Sequence, residues 1–160
     1  MNSYALKEEE KKLDSYLNQY GISIKEKKAL QYRRQEIKNE FEKPLRSTEF
    51  GKGKSSQADN SECASLAIRL YEIEKKIIRQ TSEAEKTLFR IMDIIDFLPE
   101  HSLECLIVEH KYIDQFGWTK ISMTCGVSKR TAMRRCKKAL NILLGFERVR
   151  ELCLCGRPQD

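Results

Sequence analysis

The chain is poor in the residues that interrupt helices, with 3 prolines and 7 glycines among 160 residues. It has no apolar run long enough to cross a bilayer, and no apolar stretch follows a basic start, so we expect neither a membrane anchor nor a signal peptide. Charged residues make up 34% of the chain, which favours a helical protein over a β-sandwich or a disordered tail. We therefore expect an all-α protein of the cytoplasm, with its six cysteines reduced.

Positive charge is concentrated near the C-terminus. Between Gly117 and Arg150, nine Lys and Arg residues are opposed by one acid, Glu147, so this segment carries +8 and the rest of the chain carries −2. A basic end on a near-neutral body is typical of a protein that binds a polyanion. A cationic face that only interacts with solvent would give the same count.

The apolar pattern divides the chain into five stretches. They are an N-terminal helical region (1–43), a flexible linker (44–60), a long connecting helix (61–98), a C-terminal domain (99–150) and a tail (151–160). Within the first stretch, Gly21 is expected to end one helix and Pro44 to end the next.

The long connecting helix carries an apolar stripe from Leu66 to Ile95, at spacings of mostly three and four residues. Such a stripe must be buried against a partner. The second N-terminal helix could cover it by folding back as an antiparallel hairpin, and a second copy of the chain could cover it as a coiled-coil homodimer. The spacing does not decide between the antiparallel hairpin and the coiled-coil homodimer.

Three short helices are expected in the C-terminal domain, at 101–112, 117–124 and 128–144. Gly126 can supply the positive φ of a tight turn, and Ser128 is a strong N-cap for the helix that follows. This order is typical of a helix-turn-helix. The apolar residues of the last helix that let the three helices share one core are Ala132, Met133, Cys136, Ala139, Leu140, Leu143 and Leu144.

The opposite face of the last helix is basic, which predicts that it enters the major groove of double-stranded DNA. A recognition helix reads base edges with its N-terminal residues, and arginine pairs well with guanine. The residues expected to contact bases are Lys129, Arg130, Thr131 and Arg134. The residues expected to hold phosphates are Ser128, Arg135, Lys137 and Lys138.

Four stretches of this domain carry a resemblance to a known family. They are Leu-Ile-Val-Glu-His-Lys-Tyr-Ile-Asp at 106–114, Trp-Thr-Lys-Ile at 118–121, Gly-Val-Ser-Lys-Arg-Thr-Ala at 126–132 and Lys-Ala-Leu at 138–140. Over roughly residues 100 to 144 the chain resembles sigma-70 region 4-like domains, above all those of RinA and ArpU type phage transcriptional regulators. The helical arm and the linker resemble those regulators only in their order along the chain.

The resemblance implies a small winged-helix-like or sigma region 4-like domain that regulates phage late genes, such as those for packaging and lysis, inside a bacterial host. It also implies contact with the host RNA polymerase, and it points to the same base-reading residues as above. Two features depart from the family. Nothing resembles the region that melts a promoter, and Gly117 stands where a serine-like cap is common. The chain is therefore not expected to be a complete sigma factor.

No residue pattern supports an enzyme, a cofactor or a metal. Cys153 and Cys155 form a pair without the further spaced ligands that zinc requires, and Glu104, Glu109 and Asp114 are expected to be solvated or capping. Two other functions fit the layout. A small terminase subunit also joins a helix-turn-helix to a helical oligomerisation region, and a coiled-coil interaction adaptor would have no affinity for DNA.

Overall fold

The structure is a computed structural model that describes the backbone of residues 3–43 and 56–154, and the side chains of residues 8–43 and 61–153. Seven helices and no strand lie in these ranges, which confirms the all-α prediction for the described part of the chain. The helices are α1 (Ser3–Leu17), α2 (Gln19–Glu42), α3 (Ser56–Ile95), α4 (Leu103–Tyr112), α5 (Trp118–Cys125), α6 (Lys129–Leu144) and α7 (Glu147–Leu154). None of these helices is both long and apolar enough to cross a membrane.

The chain divides into two compact units that cross the predicted domain boundaries. Ser23–Glu83 form one, called here the central unit. The described residues up to Ile22 and from Ala84 onward form the other, called the terminal unit. Residues far apart in the sequence therefore share a core, and α1 belongs with the C-terminal helices.

The central unit is held by contacts between α2 and α3. Ile37 of α2 is buried together with Leu66 and Ile73 of α3. Near one end Gln80 donates a hydrogen bond to Glu26 at 2.7 Å, and near the other Arg69 forms an ion pair with Glu40 at 3.5 Å. Residue numbers therefore rise along α2 as they fall along α3, and part of the predicted apolar stripe is covered within the chain.

The terminal unit places α1 in the same core as α4 to α7. Leu13 and Leu17, one helical turn apart, have no exposed surface and belong to the cluster that includes Ile107 and Ala139. Burying a leucine side chain stabilises a fold by about 1.5–3 kcal/mol. The core beneath α6 is therefore built partly from the N-terminal end of the chain.

A polar contact also ties α1 to α4. The hydroxyl of Tyr112 donates a hydrogen bond to Asp14 at 2.6 Å, although the tyrosine is only 1% exposed. Burial, followed by the nearby Cys136, raises the pKa of Tyr112 well above its usual value. The phenol therefore stays protonated and keeps the donor that satisfies the carboxylate.

Gly21 does not end a helix, because α1 already ends at Leu17 and Gly21 lies inside α2. Because Gly21 has no side chain, the side chain of Gln115 can lie against its backbone. A Cβ at this position would collide with Gln115. The second predicted terminator, Pro44, lies outside the described residues.

The long helix begins at Ser56, so residues 56–60 of the predicted linker are helical. This stretch contains Gln57 and Ala58, which favour helix even though the segment has no apolar stripe. Residues 44–55 of the linker lie outside the described part of the chain.

A further helix, α7, follows α6 and was not expected from the sequence. Val149 has no exposed surface, and Cys153 packs against the same core one turn later. This pair, at positions i and i+4, is the signal that the sequence offered. A winged-helix domain would carry a β-hairpin at this point, so the winged-helix alternative does not describe this part of the chain.

Candidate nucleic-acid interface

The turn between α5 and α6 is fixed by a glycine and a serine. Gly126 adopts a left-handed conformation with φ of 65° and ends α5. The Ser122 hydroxyl donates a hydrogen bond to the carbonyl of Val127 at 2.6 Å, and the amide of Val127 donates back to the carbonyl of Ser122 at 3.1 Å. Gly126 was expected from the sequence, whereas the closing role of Ser122 was not.

Ser128 caps the N-terminus of α6, as the sequence predicted. Its backbone is extended, and its hydroxyl oxygen accepts a hydrogen bond from the amide of Thr131 at 3.1 Å. The same hydroxyl donates to the Thr131 side chain at 2.9 Å. The side chains of Ser128 and Thr131 thus stabilise the first turn of the helix. This fixes the direction in which α6 leaves the turn.

One face of α6 is buried against α1, α4, α5 and α7. Small residues let the helix lie close to its neighbours: Ala132 and Ala139 have no exposed surface, and Cys136 is 5% exposed. The remaining buried residues of this face are Leu140, Leu143 and Leu144. Because this face docks into the unit, the opposite face of α6 is presented to solvent.

Three cations near the start of α6 are available for a ligand. Lys129, Arg130 and Arg134 are all exposed. Among the described residues, no carboxylate forms an ion pair with any of the three. Arg130 and Arg134 are separated by four residues, so their side chains leave the helix on the same side.

No family model, curated protein or solved structure matches the chain. The feature that indicates a function is the exposed surface of α6, with its geometry and its charge.

Two of the cations expected to hold phosphates are paired instead with Glu104 of α4. Arg135 contacts the Glu104 carboxylate at 2.8 Å and Lys138 contacts the same oxygen at 3.0 Å. The hydrogen bond from Arg135, followed by that from Lys138, lowers the pKa of Glu104 to about 2. The carboxylate is therefore charged at neutral pH and offsets one of the two positive charges that it contacts.

Glu104 was expected to be solvated or capping, but it is only 8% exposed and carries an ion-pair network. No local pattern indicates this network, because the partners of Glu104 lie 31 and 34 residues away. A third cation, Lys137, lies 3.6 Å from Glu10 of α1. The predicted phosphate-binding set is thus brought together on one helix, but three of its members already contact acids.

Met133 also lies on the exposed side of α6, although it was counted with the core. Its side chain is 46% exposed. The core positions around it are taken by Ala132 and Cys136, and a residue next to Ala132 points about 100° away from it around the helix. The exposed face of α6 therefore includes one large apolar side chain between Arg130 and Arg134.

The described residues contain no group of three or more His, Cys, Asp or Glu side chains arranged to hold a metal ion. Of the C-terminal cysteine pair, Cys153 packs against the core, and burial raises the pKa of its thiol to about 11. Its predicted companion, Cys155, lies outside the described residues.

Proposed function

We propose that this chain is a sequence-specific DNA-binding transcriptional regulator in which α5 and α6 form a helix-turn-helix and α6 enters the major groove. The observation that carries the proposal is the combination of a docked apolar face with three cations on the exposed N-terminal half of α6, Lys129, Arg130 and Arg134, that pair with no carboxylate of the described residues. A recognition helix needs both features, because docking fixes its orientation and free cations supply the contacts.

The free and the paired cations receive different roles. Lys129, Arg130 and Arg134 reach base edges, with each arginine able to donate two hydrogen bonds to a guanine. Thr131 keeps the base contact expected from the sequence, although its side chain also accepts a hydrogen bond from Ser128. Ser128 stands at the start of the helix, where backbone amides favour a phosphate. The other cations, Arg135, Lys137 and Lys138, bind phosphates but contribute less binding free energy. Each of them must first give up part of its contact with an acid.

The most direct test is selection of bound sequences from a random pool of duplex DNA, followed by measurement of affinity for the selected site. We expect Arg130→Ala and Arg134→Ala each to weaken binding by about 1–3 kcal/mol and to relax the preference at one base pair. The control is Arg79→Ala, which removes the same charge from an exposed position of the central unit. It should bind as the parent does.

Salt dependence gives a second readout for the same proteins. The logarithm of the binding constant falls linearly with the logarithm of the salt concentration. Each cation that neutralises a phosphate makes this slope steeper by about 0.9. A pool in which no sequence is enriched, or arginine variants that bind the selected site as tightly as the parent, would contradict the proposal.

We place a homodimer contact on the exposed side of α3 in the central unit, beside the hairpin arm that α2 and α3 form. Ile68, Tyr71 and Ile78 are 61%, 65% and 72% exposed. Their spacings of three and seven residues match a heptad seam, which a second copy of the chain would bury. The test is sedimentation of the parent, of Ile78→Glu and of the control Arg79→Glu, which introduces the same carboxylate next to the seam and changes the net charge by −2 where Ile78→Glu changes it by −1.

The expected result is a parent dimer that Ile78→Glu dissociates and Arg79→Glu does not. A monomeric parent would contradict the dimer, and an oligomer larger than a dimer would favour the packaging role of a small terminase subunit.

The biological setting rests on the sequence resemblance to RinA and ArpU type regulators. We propose that the chain acts in the cytoplasm of a bacterial host on late-gene promoters of a phage, with the host RNA polymerase as a second partner. In vitro transcription from a promoter that carries the selected site, with and without the protein, tests this setting. Unchanged transcript levels with host polymerase would contradict it.

A further inference from the structure

We propose that Met133 is a specificity-determining residue that reads the 5-methyl group of a thymine in the major groove. The inference rests on the proposed function, because it assigns a base contact to the helix proposed to enter the groove. It goes beyond that function by naming the chemistry of one base in the site.

The position of Met133 places it among the residues that would read bases. It follows Arg130 by three residues and precedes Arg134 by one, and all three side chains are exposed. Residues three apart lie next to each other on a helix surface, so Met133 lies beside Arg130 at the border of the exposed face, with the buried Cys136 three residues further on. A groove contacted by Arg130 would therefore also receive the methionine.

The chemistry of Met133 restricts what it can recognise. The other exposed residues of α6 are charged or polar: Lys129, Arg130, Arg134, Lys137, Lys138 and Asn141. Methionine has no hydrogen-bond donor and only a weak acceptor, so it cannot read the polar edges of guanine, adenine or cytosine. The one apolar group in the major groove is the C5-methyl of thymine, and that methyl is read by apolar contact.

The apolar surface that the Met133 side chain would bury sets the expected contribution of this contact to affinity. Nearly half of the Met133 side chain is exposed in the free chain, and contact with a methyl group removes apolar surface from water on both sides. Burying one methyl-sized group stabilises by about 0.8 kcal/mol, which corresponds to a roughly fourfold change in affinity. Met133 lies beside Arg130 on the helix surface, so the thymine should lie next to the guanine that Arg130 contacts.

The test replaces thymine by deoxyuridine, one position at a time, in the duplex selected with the full-length chain. Uracil keeps the hydrogen-bonding edge of thymine and lacks only the methyl group. We expect the parent to lose about fourfold in affinity at one position, and Met133→Ala to bind the thymine and uracil duplexes equally. Met133→Leu, which restores an apolar side chain, should recover the preference for thymine.

The matched control is Met123→Ala, which removes the same side chain from α5, where Met123 is 78% exposed. It should discriminate thymine from uracil as the parent does. Because Met133 is not a core residue, the circular dichroism spectrum of Met133→Ala should match that of the parent.

Two outcomes would overturn the inference alone. In one, the parent binds its selected duplex but tolerates uracil everywhere. In the other, Met133→Ala retains the full preference for thymine. A parent that binds no duplex at all would instead overturn the proposed function and the inference with it, so the two failures can be told apart.

Discussion

Leu17 of α1 offers a direct test of whether the N-terminal helix is part of the unit that carries α6. Its side chain has no exposed surface, and Leu17→Ala removes three carbons from the core. At about 0.8 kcal/mol for each buried methylene, the loss of burial alone is about 2.4 kcal/mol. The cavity left behind brings the expected cost to about 2–5 kcal/mol. A domain of this size is stable by only about 5–15 kcal/mol, so the effect should be large.

Trp118 makes the measurement specific to the terminal unit. It is the only tryptophan of the chain, and it packs against the same core cluster as Leu17. Unfolding in urea, followed by tryptophan fluorescence, therefore reports on this unit. With a slope of about 1.5–2 kcal/mol per molar, the midpoint of Leu17→Ala should fall by roughly 1–3 M.

The control is Ser15→Ala, on the exposed side of the same helix, which should change stability by less than about 0.5 kcal/mol. If Leu17→Ala and Ser15→Ala unfolded at the same urea concentration, α1 would not belong to the core of the terminal unit. The basis for treating α1 and α6 as one structural unit would then be lost.

Three further changes test contacts around α6. Glu104→Gln should cost about 1–3 kcal/mol at pH 7. The folded pKa of Glu104, about 2, is below its usual 4.5, so this stabilisation is complete above pH 4.5 and is lost as the pH falls towards 2. Urea midpoints of parent and variant should therefore converge in acid, and a constant gap would contradict the ion pairs. Gly126→Ala should cost about 1–2 kcal/mol, because φ is 65° although a Cβ would meet nothing within 4 Å. A thermal midpoint equal to that of the parent would refute the left-handed turn. Tyr112→Phe should cost about 1–3 kcal/mol, since Asp14 Oδ1 loses the donor that Tyr112 supplies while Asn18 still donates to the other oxygen. Burial also raises the pKa of Tyr16, so a tyrosinate titration of the parent should show one more late-ionising tyrosine than that of the variant, and identical titrations would contradict the raised pKa of Tyr112.

The helices of the C-terminal region were predictable because their signals are local. Gly126 and Ser128 mark the end of α5 and the start of α6 within three residues, and the period of the helix sorts Ala132 and Cys136 from Arg130 and Arg134. The predictions were wrong where the apolar pattern was weak, as at α7, or where a residue could lie either in the core or on the surface. Met133 was grouped with the core by its residue type, although it lies at the border between the two faces of α6 and is 46% exposed.

Local sequence patterns are enough to predict that the chain is helical, that its positive charge is concentrated near the C-terminus, and that α6 has one apolar and one cationic face. Which of those cations contact an acid among the described residues follows only from how the helices pack. Glu104 and Glu10 come from other helices, and their contacts with Arg135, Lys138 and Lys137 depend on how α4 and α1 pack against α6. The physical reason is that helix formation and capping act over a few neighbouring residues, whereas an ion pair forms wherever folding brings opposite charges together, at any separation along the chain.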